Sequence, residues 1–406
     1  MTQIVTKDNP LGTEKIGKLM VRFAVPSIIS LVVNSLYNMV DQIFIGQKVG
    51  YLGNAATNVI LPLTTFMMAL SVMIGDGAAA FMSLNLGKGK PDKAAHGVGN
   101  AITLTVISGI LITILFEIFL NPLCHIFGAT ENSLPYALKY GKIIALGFVF
   151  FAIDAAFASI IRADGKPNSS MIGLLIGCIT NIILDPIFIF VFEWGVAGAA
   201  LVLVMATMNN VLVKYGAVSK YGPDIPLAAL GITMKVSQLI TNIAVGLAAG
   251  IQPIYGYNYG SMKFDRVKKL YKCALFDTTV ILLVALIVFQ VFPKPIINFF
   301  GQESDLYMKY AIKCFRIYLL GCFMIGANAV TGIFFQSIGK PVQSAFLSLS
   351  RQIVFLVPGL LILGATVGVE GLLWAGPIAD ISAGVISLIT VLICWKKIFM
   401  EEKNSY

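Results

Sequence analysis

An internal echo constrains this chain more than any single motif does. Asn85-Leu86-Gly87-Lys88-Gly89-Lys90-Pro91-Asp92-Lys93 returns as Asn258-Tyr259-Gly260-Ser261-Met262-Lys263-Phe264-Asp265-Arg266, shifted by 173 residues. Phe127-Gly128 recurs as Phe300-Gly301, and Gly165-Lys166-Pro167 as Gly339-Lys340-Pro341. Gly195-Val196-Ala197-Gly198 recurs as Gly368-Val369-Glu370-Gly371. The chain reads as two parallel-related copies of one unit of roughly 200 residues, and such doubling in an apolar chain points to a carrier set in a membrane.

Composition decides the solvent. Hydrophobic residues make up 57% of the chain and charged residues 12%, about half the charged share of a soluble domain. Mean hydropathy is +0.86. The expected fold class is all-α: a polytopic membrane protein of two helical lobes, in the cytoplasmic membrane. Eleven apolar helices are expected, over roughly 18–46, 53–86, 94–120, 134–162, 169–193, 195–216, 225–258, 267–292, 304–338, 341–364 and 368–396, each long enough for one bilayer crossing of about 20 residues. The domain reading follows: 1–17 a cytoplasmic amino-terminal tail, 18–201 a first lobe, 202–224 a remnant and loop, 225–396 a second lobe, and 397–406 a carboxy-terminal tail. Met1 to Lys18 is polar and reads as no cleavable leader. The net charge of +9 sits in short loops between spans, as positive-inside charge does, so nucleic acid is not an expected partner. Six scattered cysteines form no C-x-x-C and no metal spacing, and read as core filler. No Ser-His-Asp set, His/Cys cluster or G-x-x-x-x-G-K-[ST] loop is present, so neither an enzyme nor an ATP-driven pump is expected, and no cofactor is called for.

The repeat arithmetic fails once. The last helix of the second copy starts at Gly368, so the first copy's sixth helix is due from Gly195 to about residue 222. The second copy's first helix is due to end near Gly216, and both claim residues 195–216. That segment, about 33 Å long, suffices for one span. One helix and its connection, roughly 40–55 residues, are missing against a twelve-helix plan. An odd count inverts the second half and places Lys263, Arg266, Lys268, Lys269 and Lys272 outside, whereas Lys88, Lys90 and Lys93 lie inside. The charge pattern is the weightier guide, and 195–216 is then expected not to cross cleanly.

Ionisable groups within a span are costly and mark function. Asp41, Asp76, Asp154 and Asp185 lie mid-helix. Asn34, Asn38 and Asp41 form one stripe on the first helix, and Cys178, Asn181 and Asp185 one on the fifth. Pro186 frees the carbonyl of Ile182 beside Asp185. Paired carboxylates out of water share a proton, so this set suits a proton or sodium ion and no transition metal. By the repeat, Val357 answers to Asp185, Ala249 to Asp76 and Ala327 to Asp154. Acids are thereby expected in the first half alone, and the ion site with them. Asp76, between Gly75 and Gly77, reads equally as a backbone partner where helices approach closely. Asp154 and Asn34 are candidates for a cavity wall, as is Lys235, which can also snorkel to the interface. The arginines Arg22, Arg162, Arg266, Arg316 and Arg351 read as sitting mostly near helix ends.

Leu36-Tyr37-Asn38-Met39-Val40-Asp41, Ile161-Arg162-Ala163-Asp164-Gly165-Lys166-Pro167, Asn181-Ile182-Ile183-Leu184-Asp185-Pro186 and Gln252-Pro253-Ile254-Tyr255-Gly256-Tyr257-Asn258-Tyr259-Gly260 together resemble the multidrug and toxic compound extrusion (MATE) transporters, in their MepA-like bacterial branch. The resemblance covers residues 18–201 and about 205–396. It implies twelve helices in two lobes that rock to export amphipathic cations, as a monomer, in exchange for protons or sodium. It also implies an amino-lobe ion site at Asp41, Asn181 and Asp185. Gly198-Ala199-Ala200 is followed by Leu201-Val202-Leu203, a departure from the family's threonine on helix 6. Two rival readings are an internally deleted, non-transporting remnant and a lipid-linked oligosaccharide flippase, the latter expected to line its cavity with clustered arginines.

Overall fold

A computed structural model describes residues 9–48, 50–127, 134–186, 224–299 and 305–400, and every described element is helical. In chain order these are α1 (Pro10–Thr13), α2 (Ile16–Lys48), α3 (Gly50–Gly87), α4 (Pro91–Ile126), α5 (Leu134–Ala163) and α6 (Pro167–Pro186). Then follow α7 (Asp224–Gly260), α8 (Phe264–Val291), α9 (Pro293–Phe299), α10 (Asp305–Tyr318), α11 (Ile325–Ser337), α12 (Pro341–Leu349), α13 (Val357–Val367) and α14 (Val369–Met400). A helix satisfies all its own backbone groups, which a bilayer demands of any lipid-facing segment. Among the described residues nine helical stretches are long and apolar enough to span, with Pro167–Ile179 a shorter apolar helix. These ten match the expected helices; the expected helix at 195–216 lies outside the described residues.

Two expected single helices are interrupted. The run expected at 304–338 divides into α10 and α11 around a turn and a 3₁₀ segment, Cys322–Met324. Between α12 and α13 the expected 341–364 helix widens into a π segment, Ser350–Leu356.

The repeat is visible in which faces are buried. On α4, Ile107, Leu111, Ile114 and Ile118 are exposed, and their counterparts Val280, Val284, Ile287 and Val291 are exposed on α8. Thr105 and Thr278, buried, each donate a hydroxyl to the carbonyl four residues earlier, Ala101 and Ala274. Phe116 and Phe289 both turn inward and both pack edge-on against another phenylalanine. An apolar stripe with 3.6-residue spacing turned outward is the face a helix offers to lipid.

The turns repeat as well. Gly89, Gly165 and Gly339 each adopt positive φ, and Met262, at the place of Gly89, does so at +58°. Each stands directly before a lysine that leads into the next helix (Lys90, Lys166, Lys340, Lys263). Backbone bonds from Lys90 to Asn85, Lys166 to Ile161 and Lys340 to Phe335 close the ending helix with a six-residue loop, the hydrogen bond of the Schellman motif.

The chain divides into two compact units. One comprises residues 1–14, 25–203 and 256–262, the other 15–24, 204–255 and 263–406. In the first, α3, α4 and α5 pack around Ile60, Met67, Phe116, Leu120 and Phe148. Here α3 also meets the end of α7 in a reciprocal contact. A Cβ on Gly87 would collide with the carbonyl of Tyr257, and one on Gly260 with the carbonyl of Leu84. Positions 84 and 87 answer to 257 and 260 by the same 173-residue shift, so one contact is made twice, each helix offering the same two positions to the other. The basic turns after Gly87 and Gly260 therefore share one end, as the charge pattern requires. Asn258 Nδ2 donates to the carbonyl of Leu11 at 2.9 Å, which fixes α1 and the start of α2 at that end too. In the second unit α10, α11, α13 and α14 close around Tyr310, Phe315, Leu319, Leu360 and Leu372.

Two outcomes are expected in thermal melts of the purified protein. Gly87→Val or Gly260→Val destabilises by about 1–3 kcal/mol through overpacking, while Gly77→Ala, with open space around it, does not. Met262→Gly relieves left-handed strain and stabilises by under about 1 kcal/mol.

Candidate functional site

The first unit holds the two polar stripes. The Cys178 thiol of α6, buried, is hydrogen-bonded to the Asn34 side chain of α2, and the Asp154 carboxylate of α5 acts electrostatically on the same thiol. Asp154 is exposed and lines a cavity of about 60 Å³ together with Phe157, Ser169, Ser170 and Gly173, room for a few waters. Ser170 Oγ, at the wall, is spent on the carbonyl of Ala158 at 2.8 Å. Asn34, Asp154 and Cys178 thus come together from three separate helices.

That contact sets a register. α2 starts at the end where α1 docks. α6 starts at the same end, because the Gly165 turn closes α5, which runs in the direction of α3. The two helices are therefore parallel. Seven residues beyond Asn34 is Asp41, and seven beyond Cys178 is Asp185, each a rise of about 10 Å. The backbone positions of Asp41 and Asp185 accordingly fall at one level, with Asn38 and Asn181 between. The side chains of Asn38, Asp41, Asn181 and Asp185 lie outside the described residues.

Asp76 belongs elsewhere. Its Oδ1 accepts from Ser159 Oγ at 2.6 Å and stands 3.7 Å from Arg162 Nη2, which donates to Ser159 Oγ at 2.8 Å. One residue earlier, a Cβ on Gly75 would lie 2.6 Å from the Cα of Ala156. Asp76 ties a close α3–α5 crossing through the side chains of Ser159 and Arg162. Lys235 is exposed on α7 in the second unit, and no ion pair to it is found among the described residues. Gln238 Nε2, on the same helix, donates to Asn242 Oδ1 at 2.9 Å. Among the described residues no group of three His, Cys, Asp or Glu side chains could hold a metal ion.

The expectation that mid-span acids occur in the first half alone is corrected by Asp380. It lies within α14, its side chain is 2% exposed, and its Oδ1 accepts from Arg351 Nε at 2.6 Å. Arg351, 16% exposed, sits in the π segment, well inside the span Pro341–Val367. Comparing the copies for the four recognised acids could not reveal Asp380, whose counterpart is Thr207. The signal that was available is an aspartate deep in the apolar run 368–396, well away from either polar flank.

Comparison with known proteins bears on both fold and site. The family model described as MatE matches residues 26–187 and again 199–361. The same model fitting twice is the internal repeat in another form. Between the matches lie residues 188–198. The chain is similar to the multidrug export protein MepA of Staphylococcus haemolyticus (strain JCSC1435), 24% identical over 429 residues, covering 93% of each chain. It is 22% identical to MepA of Staphylococcus aureus (strain MSSA476) over 425 residues, again 93% of each. Both aligned spans exceed the 406 residues of this chain, so positions of the relatives have no partner here. Among solved structures, the MATE multidrug transporter DinF-BH superposes with a TM-score of 0.80 at 28% identity, covering 97% of this chain and 99% of that one. An outward-facing multidrug resistance MATE family transporter of the MOP superfamily gives a TM-score of 0.88 at 20% identity, covering 98% and 99%.

The Asp76 tie carries its own expectation. Arg162→Met leaves a largely buried carboxylate with one fewer partner and lowers stability by about 1–3 kcal/mol. Asp76→Asn, which still accepts from Ser159, lowers it less. Melting of the purified variants checks the order.

Proposed function

The chain belongs to the MatE family, and from that premise we propose that it is a cation-coupled antiporter that expels amphipathic cationic drugs in exchange for protons. Its helices make it a multi-pass cell-membrane protein, and its relatives are multidrug exporters and not enzymes. The observation that carries the coupling is the Asn34–Cys178 contact. It aligns the Asp41 and Asp185 positions on parallel helices, with Asp154 on the adjoining helix at the level where the register begins.

The chemistry follows from crowding negative charge away from water. Several carboxyl groups gathered in one membrane-embedded site cannot all stay charged without a compensating cation. A proton, a sodium ion or the cationic cargo can supply it, so binding of one opposes binding of another. Exchange arises when the site opens alternately to the two sides. The proton is the preferred ion because carboxylates sharing it need no dedicated oxygen cage. α2 is suited to carry the motion. Pro26, inside α2, has no backbone N–H to give to the helix. It stands one residue past the point, between Ala24 and Val25, where α2 passes from one unit to the other. Proton uptake on α2 would bend the helix there and narrow the cargo space.

A second reading, a family member that inserts without transporting, is favoured by one observation: the alignments to the MepA relatives are longer than this chain, so those relatives carry positions that it lacks.

Energised efflux of ethidium from cells making this chain separates the two. The antiporter reading expects efflux from the parent, a fall of about tenfold or more with Asp41→Asn at equal protein level, and a smaller fall with Asp154→Asn. If only a version with a complete helix restored after residue 187 exports ethidium, the parent is the non-transporting form.

A further inference from the structure

The second unit contains a buried charge pair that the coupling scheme above does not use. Arg351 and Asp380 meet through a single bond, Nε to Oδ1. Among the described residues no hydrogen bond engages the terminal amino groups of Arg351, so the two-pronged clasp that makes Arg–carboxylate pairs rigid is absent. Beside Arg351 in the chain, Gln352 Oε1 is buried without a hydrogen-bond partner among the described residues, an acceptor standing vacant on the residue next to a cation. By the repeat the pair is matched by Ile179 and Thr207, taking the spacing that joins Asp185 to Val357 for the first and Gly198 to Gly371 for the second. It is therefore no part of the duplicated scaffold.

Two helical stretches lose regularity around it, and a third carries an interior proline. Arg351 lies in the π segment. Asp380 follows Pro377, an interior proline of α14. Facing them is the break between α10 and α11. There a Cβ on Gly321 would lie 2.8 Å from the Cα of Pro377 and 3.0 Å from the Cβ of Asp380, and one on Gly376 would lie 2.6 Å from the Tyr318 ring. π segments and broken helices at membrane depth are where backbone can change course, and they are tolerated only inside protein. The titratable groups that act on Asp380 are Arg351 from the π segment, Tyr318 from α10 and Cys322 from the 3₁₀ turn. The helices α11, α12 and α13 carry no acid, base, thiol or phenol.

Charge burial links motion to protonation. If Arg351 moves away, Asp380 is left as a bare carboxylate in a dry site, and taking up a proton is its least costly course. Conversely, a proton on Asp380 removes the charge that holds Arg351. We propose that Arg351 and Asp380 form a second proton-operated element of transport, paired while Asp380 is charged and parted when it is protonated, with the irregular segments absorbing the change in helix shape. This deepens the antiporter reading and rests on it for its purpose, but it can be tested without transport.

The experiment is hydrogen–deuterium exchange of the purified chain in lipid nanodiscs, across a pH series and corrected for intrinsic rates, followed in peptides covering 319–324 and 350–356. In the parent, protection of these peptides is expected to fall about tenfold as pH is lowered through the point where Asp380 protonates, while peptides of α4 hold steady. Asp380→Asn, fixed neutral, is expected to show the low protection at every pH. Arg351→Lys, which keeps a cation, retains the pH response. Asp41→Asn leaves the response intact, so loss of ethidium efflux and loss of the exchange response report on separate proposals. Protection in the parent that does not vary with pH overturns the inference, and that result stands even if Asp380→Asn fails to fold. So does an Asp380→Asn profile identical to the parent's.

Discussion

Water is missing where this chain does its folding, and every polar group placed there has to find a partner inside the protein. Three of the intramembrane carboxylates with described side chains answer that demand differently. Asp76 is held by Ser159 and Arg162 at a crossing too tight for a side chain on Gly75. Asp380 has Arg351. Among the described residues Asp154 has no such cation, and stands exposed on a cavity with the Cys178 thiol and Asn34 nearby. A carboxylate with no resident cation is left able to accept a mobile one.

The repeat explains both the economy of the fold and its asymmetry. Threonines bonded to their own helix, outward apolar stripes and left-handed turn residues recur at matched positions, because they solve the same problem of lipid contact and chain reversal in both halves. The polar centres do not recur. The fifth helix of the first copy carries Cys178, Asn181 and Asp185, and its equivalent carries Ser350, Ile353 and Val357 with Arg351 alongside. Duplication supplied one frame, and the halves then acquired different polar groups within it: Asp154 beside Cys178 in one, the Arg351–Asp380 pair in the other.

The helices and turns were legible in the sequence because lipid exposure writes itself as long apolar runs and because glycine, lysine and proline punctuate chain reversals. Asn34 and Cys178 were legible as members of stripes, though nothing in either stripe says which residue of one meets which of the other; the contact between them supplies the register. Asp380 is not legible from the repeat, because its counterpart is Thr207 and no acid of the first copy points to it. The break after Tyr318 was illegible for a different reason. It comes from the approach of Gly321 to the backbone of Pro377, far along the chain, and no local pattern records a crossing of that kind.

The paired glycines have a further consequence. α3 and α7 finish side by side at Gly87 and Gly260, and α6 sets out from that same end. A helix that leaves one face and the next that returns to it enclose an even number of bilayer crossings, and the twelve-helix plan has two in this interval. Removing a single helix from such a chain would reverse the parity of everything downstream and carry Lys263, Arg266 and Lys268 to the opposite leaflet. The residues from 187 to 223 contain one apolar run of spanning length. The contact between the two glycines therefore holds the ends of α3 and α7 together, a constraint that the tally of hydrophobic segments does not carry.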